Sequence, residues 1–98
     1  MSNTKLTIIA RFLVKSEKLE LVLSEIPKMI QATRTEEGCL DYDLHQDNEN
    51  PNLFLFYENW TTHELWQKHM NSDHVNAYRA ATQGAIEEFT LNEMTLVE

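Results

Sequence analysis

A chain of 98 residues allows one domain, read here as residues 1–98, with a core that buries roughly 60–70% of the unfolded surface and often gains stability by pairing with a second copy. Its 16 acidic residues against 8 Lys and Arg give a formal charge of −8, which argues against a nucleic-acid backbone or an anionic membrane as partner and leaves a small neutral or aromatic substrate. The single Cys39 excludes an internal disulfide and a cysteine-built zinc site and suits a reducing cytoplasm, and the opening MSNTKLTIIARF holds too short an apolar run for a signal peptide or a membrane span.

Residues 5–14 predict the first strand. Leu6, Ile8, Ala10, Phe12 and Val14 share one face, with Thr7, Ile9, Arg11 and Leu13 on the other. Ser16 is the expected N-cap of a helix, with Glu17 in its first turn. Leu19, Val22, Leu23, Ile26, Met29, Ile30 and Thr33 carry the apolar stripe to Arg34, although Pro27 should kink it. Gly38 is the expected left-handed cap at its end. Residues 39–46 alternate, with Leu40, Tyr42 and Leu44 opposite Asp41, Asp43 and His45, which predicts a half-buried second strand. A polar turn, DNENPN, leads into a third strand and an antiparallel hairpin.

The stretch from Leu53 to Ala81 organises the rest of the chain. It holds both tryptophans, two of the three tyrosines and three of the four histidines. Its strand, LFLFYENW, is almost wholly apolar and should be buried on both faces. Thr61 and Glu64 fit a capping box that opens the second helix. Asn71-Ser72-Asp73 interrupts that helix, and Ser72 or Asp73 could cap a second piece through Val75, Tyr78, Ala81 and Ala85. Residues 88–97 predict the last strand. The order β-α-β-β-α-β, with right-handed crossovers, is a ferredoxin-like α+β fold: a four-stranded antiparallel sheet with both helices on one face. The uncovered face carries Ile9, Leu13 and several aromatics expected from the third strand, so a homodimer packed sheet to sheet is expected.

Chemistry is expected where Trp60, His69, His74 and Tyr78 converge. His69 and His74 are five residues apart, about 140° around a continuous helix, so only the break at 71–73 could bring them together. They admit a structural reading or a general-base reading. No carboxylate or third histidine stands at a recognisable ligand spacing, so no metal site is expected. Trp60, Trp66, Tyr42, Tyr57 and Tyr78 could be core or pocket residues. Glu58, inside an aromatic strand, needs a partner, for which Arg11 or Arg79 is available; an acid of raised pKa is the sharper alternative. With only Gly38 and Gly84 there is no glycine-rich phosphate loop, and a nucleotide or flavin cofactor is not expected.

The segments EEGCLDYDLHQD, LFLFYENW, His69 and SDHVNAY resemble the antibiotic biosynthesis monooxygenase domain, nearest to its small quinol-monooxygenase-like members, over about Leu6 to Leu96. The resemblance is carried by the Glu37-Gly38-Cys39 turn, Glu58-x-Trp60 and the His69-x4-His74 pair. It implies a ferredoxin-like unit that dimerises into an α+β barrel, with one pocket per subunit between helices and sheet. It also implies oxidation of a small quinol-like or phenolic substrate by molecular oxygen with no metal, flavin or haem. Trp60 matches a pocket tryptophan of the polyketide-oxidising branch, but Phe56 stands where that branch has asparagine. Ala10 and Arg79 stand where the haem-degrading branch needs an asparagine and a histidine ligand. His69 and His74 match the histidine pair of the quinol-type proteins. A sister group with the same spacing isomerises a phosphorylated signalling-sugar derivative, which keeps an isomerase open beside a non-catalytic dimeric small-molecule-binding protein. The resulting expectations are His69 and His74 as catalytic residues, and Trp60, Trp66, Tyr78 and Arg79 as substrate-binding residues. No cofactor and no metal are expected, and the setting is cytoplasmic.

Overall fold

The computed structural model describes residues 5–98; the first four residues of the opening stretch read above lie outside them. In chain order the elements are β1 (Leu6–Val14), α1 (Leu19–Thr33), β2 (Cys39–Gln46), β3 (Leu53–Trp60), α2 (His63–Met70), α3 (Asp73–Ala81) and β4 (Ile86–Met94). The four strands form one antiparallel sheet in the order β2-β3-β1-β4, the ferredoxin-like arrangement, with the second helix divided in two. No helix among the described residues is long and apolar enough to cross a membrane.

Strand parity decides what the helices cover. Leu6, Ile8, Ala10 and Phe12 stand opposite Trp60, Glu58, Phe56 and Phe54 in the β1–β3 ladder, and all eight are buried. Rings stack across this face: Phe12 on Phe54 at 5.5 Å, Phe12 on Phe56 at 5.8 Å and Phe56 on Tyr42 at 4.7 Å. Val22, Ile26, Met29 and Thr33 of α1 close over them, following the 3.6-residue period. The outer face carries Leu53, Leu55 and Tyr57 of β3 beside Ile9 and Leu13 of β1. The expectation that β3 is buried on both faces, with aromatics outward, is therefore corrected. Alternation sends Phe54, Phe56 and Trp60 inward, and Tyr57 remains 39% exposed.

Several boundaries also move. Ser16 opens a single 3-10 turn, Ser16–Lys18, and its hydroxyl accepts from Asn52 Nδ2 at 2.7 Å instead of capping a helix. The helix proper starts at Leu19, runs unbroken past Pro27 and ends at Thr33, and Leu23 falls on its exposed side. Gly38 does take a left-handed φ of 87°, but in the turn into β2, beyond the helix C-cap Arg34. β2 bulges at Leu40: Cys39 pairs with Trp60 and Asp41 with Asn59, so Leu40 is pushed outward and the strict alternation fails there. Thr62, not Thr61, caps α2, accepting from the Leu65 N–H at 3.1 Å. Ser72 caps α3 by accepting from the Val75 N–H at 3.3 Å. β4 begins at Ile86 and ends at Met94, leaving Leu96 and Val97 outside the sheet.

Candidate active site

A cavity of about 390 Å³ opens between the helices and the sheet, within the range of roughly 300–1,000 Å³ usual for small-molecule sites. Its sheet wall is Ala10, Phe12, Tyr42, Phe56 and Glu58, with Phe89 and Leu91 of β4 at one side. Its helix wall is Met29, His69, Met70, Val75, Tyr78 and Arg79. The wall is mostly apolar and aromatic, with Glu58, Tyr42 and His69 as polar groups on it and Arg79, Thr82 and Gln83 along the helix side.

Glu58 and Trp60 are two apart on β3 and so share a face. Trp60 is wholly buried, and its indole N–H donates to Glu58 Oε1 at 2.9 Å. Glu58 is only 4% exposed. Burial pushes its carboxyl up to about 7, against the Trp60 N–H, which pulls it down, while the nearby Glu36 adds to the rise. Neither of the expected cations, Arg11 or Arg79, is its partner. Arg11 pairs with Leu55 in the ladder and therefore lies on the opposite face, 3.8 Å from Glu88. Arg79 donates to the Met70 carbonyl at 3.0 Å and to Asn76 Oδ1 at 3.3 Å.

His69 lies in the last turn of α2, its ring packed on Trp60 at 4.8 Å and edge-on to Tyr42 at 5.3 Å. Its Nδ1 donates to Glu36 Oε2 across 2.7 Å. That bond fixes the tautomer and leaves Nε2 as the basic nitrogen. Burial lowers the pKa of His69, with the Glu36 hydrogen bond opposing it, so the ring is held neutral and able to accept a proton. His74 stands in the first turn of α3, with Nε2 3.4 Å from the same Glu36 oxygen and its ring 6.1 Å from that of His69. The helix break brings the two histidines together, because Ser72 turns the chain by donating to the His69 carbonyl at 2.6 Å.

Glu36, His69 and His74 place their ligand atoms within 4.8 Å of one another. This carboxylate–imidazole set could hold a divalent transition metal, and the sequence spacing of the histidines did not foretell the carboxylate. Donors around tetrahedral zinc lie about 3.3 Å apart, whereas His69 and Glu36 sit at the 2.7 Å of a hydrogen bond. The arrangement described is a carboxylate-oriented histidine.

Of the catalytic and substrate-binding residues expected from the sequence, His69, Tyr78 and Arg79 line the cavity, as do the candidates Tyr42 and Glu58. Burial pushes the Tyr78 phenol up to about 12, so it is a neutral hydrogen-bonding group there. Trp60 lies beneath the wall, touching both Glu58 and His69. Trp66 is buried beside His63, at 5.5 Å, and His74 stands behind His69, both off the cavity wall. Glu36 was missed as a functional candidate. It lies 33 residues before His69, and nothing in the local pattern of either residue signals the other.

The ferredoxin-like sheet thus carries an aromatic cavity with an oriented histidine and a buried acid. The family model for antibiotic biosynthesis monooxygenase matches residues 5–81. "Putative monooxygenase Rv0793" of Mycobacterium tuberculosis is 32% identical over 78 residues, covering 80% of this chain and 76% of that protein. "Putative monooxygenase YcnE" of Bacillus subtilis is 34% identical over 67 residues, covering 68% and 70%. The crystal structure of PA3566 from Pseudomonas aeruginosa superposes with a TM-score of 0.90 at 26% identity, covering 97% and 96%. The chain belongs to the antibiotic biosynthesis monooxygenase family.

Proposed function

We propose that this chain is a cofactor-independent monooxygenase acting on a small quinol-like or phenolic aromatic with molecular oxygen. The observation that carries the reading is His69, held neutral and oriented by Glu36 at 2.7 Å, on the wall of an aromatic cavity. The cavity faces hold the ring and exclude water. His69 Nε2 takes the phenolic proton, and the resulting electron-rich anion can pass an electron to oxygen. For a quinol, one oxygen atom enters the ring and the other leaves as water, so quinol and oxygen become hydroxyquinone and water. The substrate supplies all the electrons. A phosphorylated substrate would meet one Lys or Arg on the cavity wall among the described residues, Arg79, which favours oxidation over the isomerase reading. A dimer through the outer sheet face and a cytoplasmic setting complete the proposal. Burial pushes the Cys39 thiol up to about 11, so it stays protonated and takes no part.

The test is oxygen uptake by purified protein over a panel of quinols and phenols, with and without a chelator. His69→Ala should lower turnover about 10²–10⁴-fold, the usual contribution of a general base. Glu36→Gln should lower kcat with little change in KM. Full turnover by His69→Ala, or a requirement for added flavin or iron, would sink the mechanism.

A further inference from the structure

We propose that Glu58 serves in the cavity as a neutral carboxylic acid, donating a hydrogen bond to a substrate oxygen on which negative charge collects as His69 removes a proton. The inference rests on the oxidation reading above and narrows its substrate to aromatics with a carbonyl oxygen conjugated to the acidic group. Geometry carries it. Strand parity puts Glu58 on the cavity wall beside His69, and both touch Trp60. The Trp60 N–H occupies Oε1, so the carboxyl cannot swing away, and a proton on the other oxygen is directed elsewhere than the indole.

The surroundings favour that proton. From β1 the facing residue is Ile8, the ladder partner of Glu58, and from α1 it is Met29; neither titrates. From β2 comes Tyr42, whose phenol is pushed far up by burial. From α2 comes His69, kept neutral, and behind it the Glu36 carboxylate and His74. From α3 come Tyr78, also neutral, and Arg79, whose guanidinium is turned to Met70 and Asn76. Glu93 of β4 is taken by His63 at 3.0 Å. Among the described residues no cation pairs with Glu58, so the acid meets low dielectric and a like charge, the two conditions that keep a carboxyl protonated.

The step balances without further reagents. The substrate proton moves to His69 Nε2, and the electron pair it leaves spreads through the conjugated system to the carbonyl oxygen. Glu58 shares its O–H with that oxygen and keeps its proton. Donors placed where charge develops typically contribute about 10²–10³-fold in rate. A protonated carboxylic acid in an apolar site is a known form of such a donor.

Binding separates this from turnover. Affinity for anthraquinone, a non-ionising carbonyl acceptor, and for anthracene, its counterpart without oxygen, is read by tryptophan quenching at pH 6 and pH 8. With a carboxyl titrating at about 7, about a tenth of the molecules keep the proton at pH 8. Wild-type affinity for anthraquinone should therefore fall about tenfold between the two pH values, and affinity for anthracene should not change. Glu58→Gln keeps an N–H donor and should bind anthraquinone equally at both. The inference is overturned if wild-type anthraquinone affinity does not change, if anthracene affinity falls equally, or if Glu58→Gln keeps the wild-type decline. Should Glu58→Gln fold poorly, the contrast between the two probes in wild type still decides. A protein that gives the expected binding but consumes no oxygen refutes the proposed reaction and leaves this role for Glu58 standing.

Discussion

Glu58 is where residue chemistry and stability conflict. Its carboxyl is raised from 4.5 to about 7, chiefly by burial. Between those values the folded state binds more protons than the unfolded state, so stability falls as pH rises. The benefit of the protonated acid is fully present below about pH 4.5 and lost as pH climbs through about 7. Glu58→Gln removes this dependence and still accepts the Trp60 N–H. Relative to wild type, the variant should gain roughly 2–3 kcal/mol on going from pH 5 to pH 8.5. Urea unfolding of both proteins at the two pH values measures it, and parallel pH dependences would show that Glu58 ionises freely. The sequence signalled that Glu58 needs a partner but not which one. Arg11 was excluded by the parity that puts it on the other side of the sheet, and the partner proved to be the indole two residues along the same strand.

At the scale of elements, the α2–α3 break and the turn into β2 set the site. Ser72 was legible as a cap because serine before an acidic residue and an apolar run is a helix-start signal. The bulge at Leu40 was not, since its cause is the pairing of Cys39 with Trp60 rather than anything in the local pattern. Gly38 lies two residues after Glu36, in the turn into β2, and packs against α2. A Cβ added there would lie 2.6 Å from Leu65 Cδ1 and 2.9 Å from Thr61 Oγ1, at a φ of 87°. Gly84 shares the positive φ, at 80°, but a Cβ there meets nothing within 4 Å. Gly84→Ala should cost about 1 kcal/mol of backbone strain, and Gly38→Ala roughly 2–4 kcal/mol, because it adds overlap to strain. Denaturant midpoints compare them; equal losses would show that Leu65 and Thr61 move aside freely.

At the scale of the molecule, helices cover one side of the sheet, and among the described residues no element covers the other. Ile9, Leu13, Leu53 and Leu55 are half-buried there and Tyr57 is 39% exposed. In a chain of 11.5 kDa this is much apolar surface to leave in water. A second copy packed on that face should appear in sedimentation at micromolar concentration as twice the monomer mass. Leu55→Glu, placing a charge at its centre, should shift the population towards monomer. A wild-type chain that sediments cleanly as a monomer would refute this packing.

The sequence by itself determined the order of elements, the apolar face of each and hence the fold class, because these depend on periodicity and turn chemistry within a few residues. The same local signals located the strand–helix stretch that holds Trp60, His69 and His74. Only the tertiary structure decided which groups act on one another. Glu36 reaches His69 across 33 residues of chain, the acid Glu58 is met by an indole in place of an arginine, and Trp66 and His74 stand off the cavity wall. Such pairings depend on which faces the sheet and helices bring together, and burial then sets the protonation of each group. Neither is encoded in the spacing of residues along the chain.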